Sequence, residues 1–288
     1  MRSFHLLVNP TSGGGTAPAS VVPVARILRE AGAGVEVTYS TGPVECRTLV
    51  ARAVESGQVM VAVGGDGMVA SLAGPVVEAG GVLGIVPSGR GNDFARQLGL
   101  AGDPATAART LMHTEPRAVD VIDVGGQVVA GSVYAGVDSL ASQYVDRAHL
   151  LPGPVQYPCA AVRAVLTFRP STYHVVVDGV AHRQRAFTVV VANSGYYGSG
   201  MHIAPGACLT DGMLDVVMIR AASRPRLIRA LPKLYDGSHV ELDEVLVCRG
   251  REITVSTEAP VTAYADGERL APLPLTAHVR PEALRVLA

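Results

Sequence analysis

An α/β domain built on a parallel sheet with glycine-rich nucleotide loops, followed by a mainly antiparallel β domain, is the fold class this sequence predicts. Three observations predict it. Through about residue 115, short β-branched apolar runs alternate with segments of helical apolar spacing, as in a parallel sheet wrapped by helices. Three of those runs end in glycine-rich turns: Asn9-Pro10-Thr11-Ser12-Gly13-Gly14-Gly15, Gly64-Gly65-Asp66-Gly67 and Pro87-Ser88-Gly89-Arg90-Gly91-Asn92-Asp93-Phe94. From Val119 onward strand patterns follow one another, with Asp-Gly or Gly-Gly turns between several of them. The expected domains are 1–118 and 119–278, with a segment of about 279–288 returning to the first.

In order, Phe4 to Val8 reads as a strand and Val21 to Ala31 as a helix, with Val24, Ile27, Leu28 and Ala31 on one face and Gly32 as its stop. Val35 to Thr38 and Val44 to Ser56 are the next strand and helix. Met60 to Val63 is a buried strand that breaks into Gly64-Gly65-Asp66-Gly67, where glycine lets the backbone take positive φ and approach a ligand. Helical spacing over Val69 to Glu78 puts Asp66 and Gly67 at a helix N-terminus, which favours an anion. Val82 to Val86 repeats the unit, and Asn92 or Asp93 stands where it can cap the following helix. Parallel sheets bind ligands outside the carboxyl ends of their strands, so the three turns are expected to meet at one edge.

The second domain has strand patterns at Val119 to Val124, Val128 to Tyr134, Tyr173 to Val177 and Phe187 to Ala192. They are interrupted by helical patterns at Val137 to Leu151 and Val155 to Phe168, with Pro152-Gly153-Pro154 as the break. Val279 to Leu287 is the last strand pattern.

The glycine turns admit several chemistries. Gly65-x-Gly67-x-x-Ala70 matches a dinucleotide fingerprint, but the acidic ribose ligand expected about 20 residues on is missing. A Walker-type loop needs a lysine after its last glycine, and the only lysine is Lys233. Tight turns without a ligand would explain one such loop but not two in succession, each with an acidic residue.

Taken together, Asn9-Pro10-Thr11-Ser12-Gly13, Gly64-Gly65-Asp66-Gly67 and Pro87-x-Gly89-x-Gly91-Asn92-Asp93-Phe94-Ala95-Arg96 resemble the diacylglycerol kinase catalytic-domain family. That family includes bacterial lipid kinases and sphingosine kinases and is related to the NAD kinases. Gly198 to Asp215 and Asp266-Gly267-Glu268 fall where the family has its later motifs, so the resemblance covers nearly the whole chain. It implies an ATP- and Mg²⁺-dependent kinase acting on a hydroxyl of a lipid, diacylglycerol- or sphingoid-like, or of another apolar alcohol. It further implies that Asn9, Ser12, Gly13, Gly64, Gly65, Asp66, Gly67, Gly89, Arg90, Asn92 and Asp93 bind the nucleotide. Asp93 and Asp120 would serve its metal, and Asp266, supported by Glu268, would be the general base.

The residues alone leave alternatives open. Asp120, inside an apolar run, is costly to bury without a partner but also reads as a strand-end surface carboxylate. Asp266 reads first as a hairpin residue, as do Asp178, Asp211 and Asp236, each followed by glycine. Phosphoryl transfer to an alcohol nevertheless needs a carboxylate that takes the hydroxyl proton. The chain departs from the family at Met68 and Arg90, where threonine is usual, and at Gly14, where many bacterial members have lysine. A kinase for a non-lipid small molecule and a catalytically weakened nucleotide- or lipid-binding protein are therefore alternative readings. His202 has no partner motif and receives no role.

Composition narrows the partners. With 24 basic and 25 acidic residues, no global field favours nucleic acid. The four cysteines are far apart and form no C-x-x-C pair, so neither zinc nor a disulfide framework is indicated. No long apolar stretch appears, and a cytoplasmic protein, at most peripheral at the inner membrane surface, is expected. Arg226, Arg229 and Lys233 share one helical face opposite Leu227, Leu231 and Leu234, which suits either solvent or an anionic bilayer; Pro232 weakens that helix. A homodimer is admitted beside ATP and the lipid as a partner.

Overall fold

The computed structural model describes residues 2–10, 12, 17–40, 42–100, 102–147 and 153–288. It divides into two compact units, Met1–Val121 with Pro281–Ala288, and Ile122–Arg280.

The first unit contains β1 (Ser3–Val8), α1 (Ala17–Glu30), β2 (Gly34–Tyr39), α2 (Pro43–Glu55), β3 (Gln58–Gly64), α3 (Asp66–Ala79), β4 (Leu83–Pro87), α4 (Asp93–Gln97), α5 (Pro104–His113) and the start of β5 (Pro116–Val124). Its sheet is parallel, in the order β4-β3-β1-β2. Phe4, Leu6 and Val8 of β1 pack with Val21, Val24 and Leu28 of α1 and with Leu111 of α5, so one face is covered by α1 and α5. Helix α3 buries Met68, Val69, Leu72, Ala73 and Val76. Because β2 lies on one side of β1 and β3 on the other, the chain direction switches between β1 and β3. That switch point is where open α/β sheets form a ligand crevice.

The second unit contains β6 (Gln127–Val129), β7 (Ser132–Gly136), α6 (Val137–Arg147), α7 (Gly153–Thr167), β8 (Ser171–Val177), β9 (Val180–Ala192), β10 (Tyr196–Tyr197), β11 (Met201–His202), β12 (Leu214–Arg220), α8 (Arg224–Ala230), α9 (Lys233–Asp236), β13 (Val245–Gly250), β14 (Glu252–Thr257), β15 (Thr262–Ala265), β16 (Glu268–Pro272) and the first part of β17 (Leu275–Leu287). Its strands are antiparallel, in the order β16-β15-β7-β9-β8-β14-β17, with β12 between β9 and β13. Strand β9 organises it: residues 180–186 pair with β8, and residues 188–192 pair with β7 on one edge and β12 on the other. One sheet face buries Ile122, Tyr173, Val175, Val191, Val216 and Ile253. The other carries two clusters, around Tyr134 and Val190 and around Phe187 and Val165, against which the helices pack. At its C-terminal end, β17 places Val286 in parallel register with Leu83 of β4, within the first unit.

Two local expectations need correction. The run Val128 to Tyr134 is two strands rather than one: Ala130 and Gly131 leave the ladder, and their amides meet the Asp266 carboxylate. The helix over Arg226 to Tyr235 breaks at Leu231-Pro232 into α8 and α9, as proline requires, and Arg226 is ion-paired with Glu244. The break around residue 152 falls partly outside the described residues.

Candidate active site

In the first unit the glycine turns interlock. Asn9 N–H donates to Val63 O at 3.1 Å, which ties the end of β1 to the end of β3. The next turn closes on itself, Ser12 N–H to Asn9 O at 3.2 Å, and Ser12 Oγ accepts from Gly65 N–H at 2.9 Å. Ser88 N–H then donates to Gly64 O at 2.8 Å, which joins the β3 and β4 turns. The tightest approach is between Gly65 and Gly89: a Cβ on Gly89 would lie 2.4 Å from the Gly65 Cα. These glycines serve close approach. None of Gly64, Gly65, Gly67 or Gly89 has positive φ, which corrects the expectation that they supply left-handed backbone. Gly67, at the first turn of α3, is exposed, and a Cβ there would meet nothing within 4 Å. Gly13, like Thr11 and Gly14, lies outside the described residues.

The expected cap of α4 is also different. Asn92 has φ 52° and, instead of capping forward, folds back: Gly89 N–H donates to its Oδ1 at 2.9 Å and its Nδ2 donates to Gly89 O at 3.0 Å. The donor at the start of α4 is met from another turn, Phe94 N–H to Asp66 Oδ1 at 3.2 Å. Burial pushes the Asp66 carboxyl above the usual carboxylate range, against the pull of these backbone donors. Asp66 is thus a strut between two loops. Met68 is buried beneath Gly64, so the absent hydroxyl at that position is an absent core group here. Arg90 is exposed on its turn.

Asp93 and Asp120 are both buried. Asp120 Oδ1 accepts from Glu282 N–H at 2.8 Å, holding the returning β17. No group of three His, Cys, Asp or Glu side chains able to hold a metal exists among the described residues, so neither aspartate belongs to a ready-made cage.

In the second unit, Asp266 sits at φ 47° in the two-residue turn between β15 and β16. Its carboxylate is clasped by three successive amides. Oδ1 accepts from Gly131 at 3.0 Å and Ser132 at 2.8 Å, and Oδ2 accepts from Ala130 at 2.9 Å and Gly131 at 3.2 Å. Gly131 is required, since a Cβ there would stand 2.6 Å from Asp266 Oδ1. Glu268 is exposed, and no hydrogen bond or ion pair joins it to Asp266 among the described residues.

Beneath the helices of this unit lies an apolar pocket walled by Val137, Ala141, Val165, Phe187, Leu227 and Leu231. Its polar groups include Ser142, hydrogen-bonded to Tyr134 at 3.1 Å, and Asp138 in the first turn of α6. Asp138 retains some surface as a residue, but its carboxyl is enclosed and is pushed up to about 6 by burial, opposed by hydrogen bonds from Thr188, at 2.5 Å, and Tyr197. Sequence reasoning missed Asp138. The one signal available was a carboxylate set among apolar residues at a helix start, which only the fold places in a pocket. His202 stacks on Tyr196, ring centroids 4.3 Å apart.

Two family models divide the chain almost as its units do: the diacylglycerol kinase catalytic domain matches residues 3–124, and the YegS C-terminal NAD kinase beta sandwich-like domain matches residues 131–288. The chain belongs to the diacylglycerol kinase family. It is similar to a diacylglycerol kinase of Mycobacterium tuberculosis (strain CDC 1551 / Oshkosh), 34% identical over 290 residues covering 98% of this chain and 93% of that one. A diacylglycerol kinase of Bacillus subtilis (strain 168) is 24% identical, with 93% and 90% covered. In fold it is similar to a crystal structure of a diacylglycerol kinase from Bacillus anthracis str. Sterne, at TM-score 0.75 and 19% identity, with 99% of this chain and 96% of that chain covered. As a member of this kinase family it is a phosphotransferase with an alcohol group as acceptor. No helix among the described residues is long and apolar enough to cross a membrane.

Proposed function

We propose that this protein transfers the γ-phosphoryl group of ATP to the hydroxyl of a lipid, a diacylglycerol or sphingoid-like alcohol. The apolar pocket of the second unit carries the lipid part of that reading. Its walls are aliphatic and aromatic, with Asp138 and Ser142 as hydrogen-bonding groups for the polar end of an acceptor. A non-lipid polar alcohol would leave that wall hydrated and gain nothing from it. The interlocked turns at the switch point of the first unit support the nucleotide part, with α3 offering its N-terminal N–H groups to phosphate. Asn9, Ser12, Gly65, Gly67 and Gly89 shape that cradle, and Arg90 meets phosphate charge where the family's usual hydroxyl is missing. Magnesium would enter with the nucleotide as MgATP, with Asp93 and Asp120 the carboxylates proposed to serve it.

Asp266 is the proposed base. It removes the hydroxyl proton as the substrate oxygen attacks the γ-phosphorus in line and ADP leaves. Four N–H contacts occupy its two oxygens, about the full acceptor capacity of a carboxylate, so one contact must lengthen as the hydroxyl arrives. The experiment is ATP turnover with detergent-dispersed diacylglycerol, a sphingoid base, glycerol and a sugar. Turnover with a long-chain acceptor alone is the expected result. Equal turnover with glycerol would replace the lipid reading by a small-molecule kinase, and no turnover with any acceptor would leave a binding protein.

A further inference from the structure

A second hollow in the Ile122–Arg280 unit has no part in the chemistry above. Arg169, just after α7, Arg185 on β9 and Arg224 at the start of α8 all line it, together with Pro170, Phe187 and Ala222. Among the described residues no aspartate or glutamate lines it. All three arginines are exposed, and none of them enters an ion pair among the described residues. Three guanidinium groups gathered from three elements repel one another unless an anion is shared between them, and guanidinium groups bind phosphate oxygens in a forked, two-bond geometry.

Two further observations say which anion. Phe187 lines both this hollow and the apolar pocket, so one ring separates a cationic recess from an aliphatic one. That is the layout of an anionic lipid, with a charged head beside a tail. On α7, Leu166 is 50% exposed and Arg163 is exposed one turn away, an apolar tip flanked by a cation, as at the boundary of a bilayer.

We propose that the Arg169, Arg185 and Arg224 hollow seats the phosphate of an anionic phospholipid and docks this face of the unit on a negatively charged bilayer. The idea rests on the lipid-kinase reading for its purpose, but its test reads binding and not turnover. The full chain is sedimented with vesicles of phosphatidylcholine alone and with vesicles also containing phosphatidylglycerol. The variants are Arg169→Gln, Arg185→Gln and their double, with Arg109→Gln on α5 as a surface control. Arg224 is left intact because its Nε donates to Val165 O at 3.3 Å and ties α8 to α7.

Wild type and Arg109→Gln should bind only the anionic vesicles and be released by salt. Each of the other single changes should weaken binding about fivefold, and the double about 25-fold, from roughly 1 kcal/mol per cation near an anionic surface. Equal binding of the double variant and wild type overturns the proposal, as does equal binding to both vesicle types. Release by millimolar glycerol 3-phosphate as complete as release by salt would make the hollow a soluble-phosphate site and also overturn it. Turnover on detergent-dispersed diacylglycerol, measured on the same variants, should be unchanged. A protein that binds through these arginines yet has no turnover would refute the kinase reading and leave the docking surface standing.

Discussion

The turns Asp178-Gly179 and Asp266-Gly267 are built to one plan. Both aspartates have φ 47°, followed by glycine at 85° and 93°. Each Asp N–H donates to a neighbouring strand, to Glu252 O at 3.0 Å and to Ser132 O at 3.1 Å. Each carboxylate reaches back to the same strand: Asp178 accepts from Arg251 and Glu252, and Asp266 from Ala130, Gly131 and Ser132. The shortest contact is 2.8 Å in both, to Glu252 and to Ser132. A carboxylate clasped by amides at an Asp-Gly turn is therefore a way of locking a hairpin to its neighbour, and the clasp by itself is no sign of catalysis. The differences lie in setting. Asp178 is exposed and clasps an arginine and a glutamate, whereas Asp266 is half-buried, takes a third donor, and meets a glycine where the other has Arg251. Only Asp266 lies in a stretch, Asp266-Gly267-Glu268, that resembles a motif of the family, and only Asp266 is proposed as a base.

The largest stability effect should come from a carboxylate held in neither way. Asp138 has hydroxyl partners and no backbone clasp, and burial raises it from 3.8 to about 6. The folded protein then binds the proton more tightly than the unfolded chain. Its contribution is most favourable below about pH 4 and is lost as pH rises to about 6, by about 3 kcal/mol. Urea titrations of wild type and Asp138→Asn between those pH values isolate it. The wild type should weaken relative to the variant as pH rises, and parallel curves would break the contrast between clasped and unclasped carboxylates.

Gly131→Ala attacks the clasp from its partner side. With a Cβ due at 2.6 Å from Asp266 Oδ1, it should cost about 1–3 kcal/mol in denaturant unfolding, from lost buried hydrogen bonds. Arg251→Ala, at the equivalent place in the other hairpin, should stay within about 0.5 kcal/mol. Equal losses would mean that the two clasps do not differ in packing.

The smallest expected difference is between Asp178→Asn and Asp266→Asn. Each replaces an acceptor oxygen by a donor facing an amide, so each should lose about 1–3 kcal/mol, and the two losses should agree to within about 1 kcal/mol. A much larger loss at Asp266 would give its third donor more weight than geometry assigns.

These contrasts also mark what the sequence could and could not carry. Periodicity located the parallel strands and the glycine turns because those signals are local. It also placed Pro232 as a weak point, and the helix does break there. The split between β6 and β7 escaped notice because its cause, Asp266, is 136 residues from Ala130. The capping rule failed at Asn92 because a carboxylate from another loop, Asp66, supplied the acceptor. Glycines 65 and 89 were legible as glycines that matter, but their reason, contact with each other, appears only when two turns distant in sequence share one edge. Asp138 was invisible because a pocket is made by elements that no single window contains.

The two clasps are alike in geometry, and the proposed difference in their work is read out by γ-phosphoryl transfer from ATP to diacylglycerol. With both Asn variants confirmed folded, Asp266→Asn should lose about 10²- to 10⁴-fold in turnover while Asp178→Asn keeps the wild-type rate. Near-normal turnover in Asp266→Asn, or matching losses in both, would contradict the account and make Asp266 a hairpin lock like its counterpart.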